Sequence, residues 1–455
     1  MFKRIEWVMC VVLIVASIAL SACSQATPAA TTEAPATSNA TEAATAESTS
    51  ASTSATTGEA VTLTLGSWRT DDSAAIQPIL DKFHAAYPNI TIKFSPTLPT
   101  EYDAAITTQL TSGTGDDLYY LRSKGSGAAH KLYDAGYFVS IDGLPGLENM
   151  PQDVIDSWTG SDGHVFGVGI YKNSMGLFYN ADLFKQLDLP LPTTWDELLA
   201  TAQKFKDAGI TPFANGYGEP AYVRSLFLWN WIPMVIGGKD GRLAYFNGVA
   251  CLNDANWTQL FKMVTDVTPF LPDGAAALTN SDAREYFIQG KAAMFFNGSY
   301  DIPIIQAGNP EFEWSIMAIP PLEGKENYMV AELDAAIGIN SASKHIDEAK
   351  TFLSWLTTRD FASMVPDSLV GNFPVTKDND ITTSNPYAQK FLDLMAAAKG
   401  TDARFYMNGG TPGTSSLFVD LTVAVLNGTM TPEQASQALY EGISSWSAEQ
   451  KACKK

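Results

Sequence analysis

From Ser24 to Gly58 the chain contains no aromatic residue and no aliphatic larger than alanine. A segment of mostly Ala, Thr, Ser, Glu and Pro cannot bury enough apolar surface to offset the entropy of ordering it, so it stays disordered. Folding is thereby confined to the chain beyond residue 60. That leaves 395 of the 455 residues (455 less 60), too many for one ordinary core and enough for two domains. Ahead of this stretch, Lys3 and Arg4 precede an apolar run from Val8 to Leu20. A charged start and an apolar core too short to span a membrane comfortably describe a secretory leader.

The leader ends in Leu20-Ser21-Ala22-Cys23, which resembles the bacterial lipoprotein signal. The resemblance implies a signal peptide over 1–22, acylation of Cys23, and a lipidated, disordered linker over 23–60. The chain is then expected outside the cytoplasm, anchored to the cell membrane by lipid. The linker reaches at most about 120 Å and has an r.m.s. span of roughly 35 Å.

The formal net charge is −20. That balance excludes nucleic acid and polyanions as partners, since both need a basic surface. Cys10 leaves with the leader and Cys23 takes lipid, so Cys251 and Cys453 remain, as a disulfide or as two thiols. The chain holds 10 Trp, 17 Tyr and 23 Phe. Most serve cores, but Trp and Tyr beside Gly, Asn and Asp in loops also match a sugar, whose C–H face stacks and whose hydroxyls hydrogen-bond.

The body opens with Val61-Thr62-Leu63-Thr64-Leu65, a period-two strand. Ile76, Ile79, Leu80 and Phe83 come next at helical spacing, with Asp71, Asp72 and Ser73 as possible N-caps and Pro88 as a stop. A second strand alternates through Ile90, Ile92 and Phe94, a helix runs from about Tyr102 to Leu110, and Leu118–Leu121 is apolar. This order predicts a parallel sheet covered by helices, with ligand beyond the carboxyl ends of its strands, near Trp68 and Arg122. A second α/β region starts near Ser174. It includes a capping box at Thr194-Trp195-Asp196-Glu197, a strand at Ala292–Phe296 and a helix beginning at Thr431-Pro432.

Gly66-Ser67-Trp68, Phe83-His84-Ala85-Ala86-Tyr87-Pro88, the stretch Lys172–Phe184, Pro192–Leu198 and Ala292–Tyr300 occur in one order and spacing. Together they resemble the extracellular solute-binding proteins of carbohydrate ABC importers, the group that includes maltose-binding protein. The resemblance implies a two-lobed periplasmic-binding-protein-like α/β fold with hinge crossovers and a central ligand cleft. Lobe one would comprise 61–172 plus 311–358, and lobe two 173–310 plus 359–455, with crossovers near Val168–Asn173 and near Glu311. The implied partners are a small-molecule carbohydrate and the transmembrane subunits of an ABC permease. The receptor itself is expected as a monomer without cofactor.

Cleft residues are assigned residue by residue from that family pattern. Trp68 comes straight after a strand end. Asp71 or Asp72 accepts sugar hydroxyls or merely caps the helix. Arg122 and Ser123 come after the third strand, where Asp116 stands in place of the usual Pro and no Trp is found. An Arg there suits vicinal hydroxyls or a carboxylate. Tyr171 and Asn173 sit at the expected crossover. Glu219 occupies a common carboxylate position, and of Trp229 and Trp231 one is core. Tyr300 replaces a stacking Trp, with Asp301 beside it. One of Glu332 and Asp334 reaches the ligand.

Two other functions fit parts of the pattern. An exported carbohydrate-active enzyme would also show carboxylates among aromatics, but no Gly-x-Ser-x-Gly elbow, His-Glu-x-x-His or Walker loop occurs. A receptor for a non-sugar solute such as a polyamine would suit the acidity. His84, His130, His164 and His345 show no metal-ligand spacing.

Overall fold

The computed structural model describes residues 59–123, 129–220, 222–223, 227–378 and 380–453. The leader, Cys23 and all but the last residues of the expected linker lie outside them. The alternation at Val61–Leu65 becomes strand β1 (Val61–Ser67), with Leu63 and Leu65 buried and Thr62 exposed. β2 (Ile90–Pro96) and β3 (Leu118–Leu121) flank it, both parallel to it. Helices Gln77–Ala86 and Tyr102–Ser112 make the connections. Neither Asp71 nor Asp72 caps a helix: they lie in a 3-10 turn, and the cap residue Ile76 has no side-chain bond.

Two long strands carry the chain between cores. β4 (Val168–Asn180) and β8 (Tyr328–Ile339) pair antiparallel from Val168↔Ile337 to Ser174↔Ala331. Val168, Ile170 and Ile337 belong to the core built on β1. Leu177, further along β4, belongs to a second core with Trp195, Trp231, Trp257 and Phe418. The register slips around Tyr171, a bulge that bends the strand where it leaves the first core. The segment expected to cross near Glu311 is a loop; β8 makes that passage instead. Its first half reads poorly as a strand because Glu332 and Asp334 interrupt the apolar alternation.

The second sheet adds β5 (Thr211–Phe213), β6 (Ala292–Gly298) and β7 (Trp314–Met317), with β9 (Gly400–Asp402) on the edge of β8. Side chains alternate across it. Leu177, Met294 and Phe296 face the second core, while Phe178, Phe295 and Ile316 face a third with Trp314 and Phe391. Phe361, Val365, Leu369 and Val375 pack in the first core.

A third segment joins the passage where Lys172 bridges Phe373. Here Ser174 Oγ donates to Val330 O at 2.7 Å, and Ser299 Oγ donates to Gly371 O. Gly371 is left-handed at φ +87°, and a Cβ there would lie 1.9 Å from Ser299 O, so no other residue fits. The capping box at Thr194 forms as expected, and Thr431, expected as a cap before Pro432, also closes a box with Gln434. Cys251 and Cys453 are joined in a disulfide with Cα atoms 5.5 Å apart, which closes the pairing left open by the sequence. Among the described residues no helix is long and apolar enough to cross a membrane.

Candidate functional site

A cavity of about 370 Å³ opens where β1, β3 and β6 end. The parallel strands β1 and β3 present their carboxyl ends to it, the usual ligand position in an open α/β sheet. A second space of about 410 Å³ flanks the β4–β8 passage, between helix Gln152–Asp156 and helix Gly238–Phe246. The smaller one has strand ends from both sheets converging on it, and we take it as the site.

The wall from the first core begins at the end of β1. Trp68 is 4 % exposed and packs edge-on to Tyr102 and Tyr120 at 5.4 and 5.6 Å. The Arg122 guanidinium lies 4.2 Å above its ring and donates from Nε to Asp103 at 3.1 Å. A cation over an indole face is attracted to the ring quadrupole, so at this point the wall presents a guanidinium more than a bare indole. Arg69 donates from Nε and Nη2 to the two oxygens of Asp72, each at 3.2 Å. It also lies 3.7 Å from Asp71 and 3.9 Å from Asp334. Burial pushes the Asp72 carboxyl up, and the Arg69 charge opposes that rise.

The opposite wall is gathered from distant segments. At the end of β6, Tyr300 folds back so closely on Gly298 that a Cβ there would meet its ring at 2.1 Å. Arg284, from helix Asn280–Ile288, donates to Asp301 Oδ1 at 3.1 Å, and Asn297 Nδ2 donates to Asp301 Oδ2 at 2.6 Å. Burial raises the Asp301 carboxyl to about 6, with Arg284 as the largest opposing influence. Glu219 Oε2 accepts from the Asn280 backbone N–H at 3.2 Å. Arg404, just past β9, lies 4.8 Å above the Trp229 ring.

Of the residues expected from the sequence, Trp68, Asp71, Arg122, Asn173, Glu219, Tyr300, Asp301 and Asp334 line this cavity. Asp72 stands behind Arg69. Ser123 and Glu332 face the second space, and Tyr171 is fully buried with no partner for its hydroxyl. Trp229 is buried under Arg404. Sequence reasoning missed Arg69, Tyr222, Asn280, Arg284 and Arg404. Arg69 alone had a local signal, its spacing of three from Asp72 in a turn after a strand end. Among the described residues no three His, Cys, Asp or Glu side chains gather in a metal-holding arrangement.

Two α/β cores joined by paired strands, with a polar cavity at the strand ends, define a two-lobed solute-binding fold. The model of the bacterial extracellular solute-binding proteins matches residues 66–362, and the chain belongs to that family. It is 24 % identical over 315 residues to the multiple sugar-binding protein of Streptococcus mutans, spanning 66 % of this chain and 72 % of that one. A structure from work on xylan utilization by Caldanaerobius polysaccharolyticus superposes with TM-score 0.70 at 22 % identity, covering 83 % of this chain and 99 % of its own. The apo form of RafE from Streptococcus pneumoniae gives 0.68 at 18 % identity, over 84 % and 98 %.

Proposed function

We propose that this chain is a lipid-anchored extracytoplasmic receptor that binds a sugar between its lobes and delivers it to an ABC permease. The observation that carries the reading is the cavity itself. Guanidinium groups, carboxylates, Asn173 and Tyr300 converge there from both sheets, which supplies the donors, acceptors and ring that a polyhydroxylated ligand requires. The Streptococcus mutans relative is named for binding multiple sugars, which supports sugar as the solute.

In this reading the first lobe is built on β1–β3 and includes Phe361–Val375, the second on β5–β7 with the C-terminal helices, and β4 and β8 form the hinge. Ligand contacts to both walls favour closure only by their differential affinity for the closed form. Acylated Cys23 would hold the receptor near its permease, so a weak docking contact suffices.

A thermal-shift screen of the mature chain against sugars, polyols, amines and peptides tests this. A ligand at 100 times its dissociation constant stabilises the fold by about 2.7 kcal/mol. Saccharides alone should shift the melting point and be recovered unchanged. Consumption of the active saccharide would mark an enzyme, and a response to amines or peptides alone would end the sugar reading.

A further inference from the structure

Four of the chain's eight arginines line the cleft cavity, and among the described residues no lysine does. Three have oxygen partners within the protein: Arg69 on Asp72, Arg122 on Asp103 and Arg284 on Asp301. Arg404 differs. Among the described residues its Nε is buried without a hydrogen-bond partner, and its Nη2 meets only the Met175 sulfur at 3.9 Å. Glu332, whose charge acts on it, has both oxygens committed elsewhere. Oε2 accepts from the Arg404 backbone N–H at 3.0 Å, and Oε1 accepts from the Tyr406 hydroxyl at 3.3 Å. Stacking on Trp229 fixes the guanidinium plane, and Arg404 lines the cavity without an ion pair among the described residues.

Leaving a buried ionised group short of acceptors costs free energy, and a bound ligand can supply them. Elsewhere in the cavity, beside the Arg284 Nε donor, acceptors are short of partners. Asn173 Oδ1 is buried and unpartnered, and Asp334 has, among the described residues, only a 3.9 Å contact with Arg69. Hydroxyl groups satisfy those; an anion satisfies Arg404.

We propose that the sugar bound here is acidic, carrying a carboxylate that the Arg404 guanidinium receives. This rests on the sugar-receptor reading above. The carboxylate meets a guanidinium that has no ion pair among the described residues, and Arg284, held on Asp301, adds positive charge to the same cavity.

The test is calorimetric titration of the mature chain with uronate-bearing di- and trisaccharides, each beside its carboxyl-reduced neutral form. The acidic form of the bound saccharide should bind at least tenfold more tightly than its neutral twin. Arg404→Gln should abolish that preference by weakening the acid far more than its neutral twin, and Arg404→Lys should restore part of it. Should Arg404→Gln fail to fold, the salt dependence of wild-type binding takes its place: affinity for the acid falls with salt and affinity for the neutral form does not. Equal or tighter binding of the neutral form overturns this proposal and leaves the receptor reading standing. If no saccharide of either kind binds, both fall together.

Discussion

The two walls of the cleft are built in opposite ways. The wall on the first core is local, with Trp68, Arg69, Asp71 and Asp72 on one turn and Arg69 surrounded by three carboxylates. The wall on the second core brings together Glu219, Arg284, Asp301 and Arg404 from four separated segments. Its surroundings are fastened by long-range links: Arg242 chelates Asp402 at 2.8–3.0 Å, and Cys251 is bonded to Cys453. A charge inside a locally closed network is committed to the fold, whereas a charge carried in from a distance can be left open for a ligand. On this comparison Arg69 is committed to the fold, and Arg404 is the guanidinium that the acidic-sugar proposal assigns to the ligand.

The sharpest break in the comparison is Arg69→Ala. It strands Asp72, 5 % exposed, beside Asp71 and Asp334, and should cost about 3–5 kcal/mol of stability, the loss expected when one partner of a buried pair is removed. Denaturant unfolding measures it; a cost below about 1 kcal/mol would mean the first wall is not a closed network. Next is the Cys251→Ser, Cys453→Ser double variant. Loss of the cross-link should cost about 2–4 kcal/mol and raise amide exchange around helix Ala448–Ala452 and residues 247–254 far more than along β1. Uniform acceleration in both regions would show that the staple does not belong to the second wall alone.

A smaller, pH-dependent effect belongs to Asp301. Its folded carboxyl titrates near 6 against an ordinary 3.8, so between these values the folded state binds more protons than the unfolded one. This group's contribution to stability therefore rises as pH falls through 6 toward 4, and is least above 6. The stability of wild type relative to Asp301→Asn should accordingly increase on acidification from pH 7 to 4.5. A flat or falling difference in paired melts would show that Arg284 outweighs burial. The smallest change in stability, about 1–2 kcal/mol, is expected for Arg404→Gln: buried Glu332 loses the Arg404 charge that opposes its rise but keeps its bonds to the Arg404 backbone and Tyr406. A loss comparable to that of Arg69→Ala would erase the distinction between the walls.

This asymmetry also governs how much the sequence reveals. β1, β2 and β3 are legible because one face of each strand is core, so residue identity repeats with the pleat. Trp68 and Arg122 come directly after those strand ends and are legible with them. β8 is legible only from Ala335 onward, since its first half carries Glu332 and Asp334 through the passage between cores. Arg284 sits on the polar side of an ordinary amphipathic helix, and nothing in its neighbours marks it as facing Asp301. Arg404 comes after a three-residue strand, and its environment is made by Trp229, Met175 and Glu332, none close to it in sequence. Side chains whose partners lie across the fold leave no periodic trace.

The direction of β1 has a practical result for the anchoring proposed above. Val61, where the strand begins, is at its amino end, and Trp68 comes just after its carboxyl end at the cleft. Seven residues of strand put roughly 23 Å between the two. Under that proposal, the chain that leads to Cys23 joins the fold at the end of β1 remote from the cleft. In the proposed anchored form, tension from the membrane would enter along β1 before it bears on the cleft.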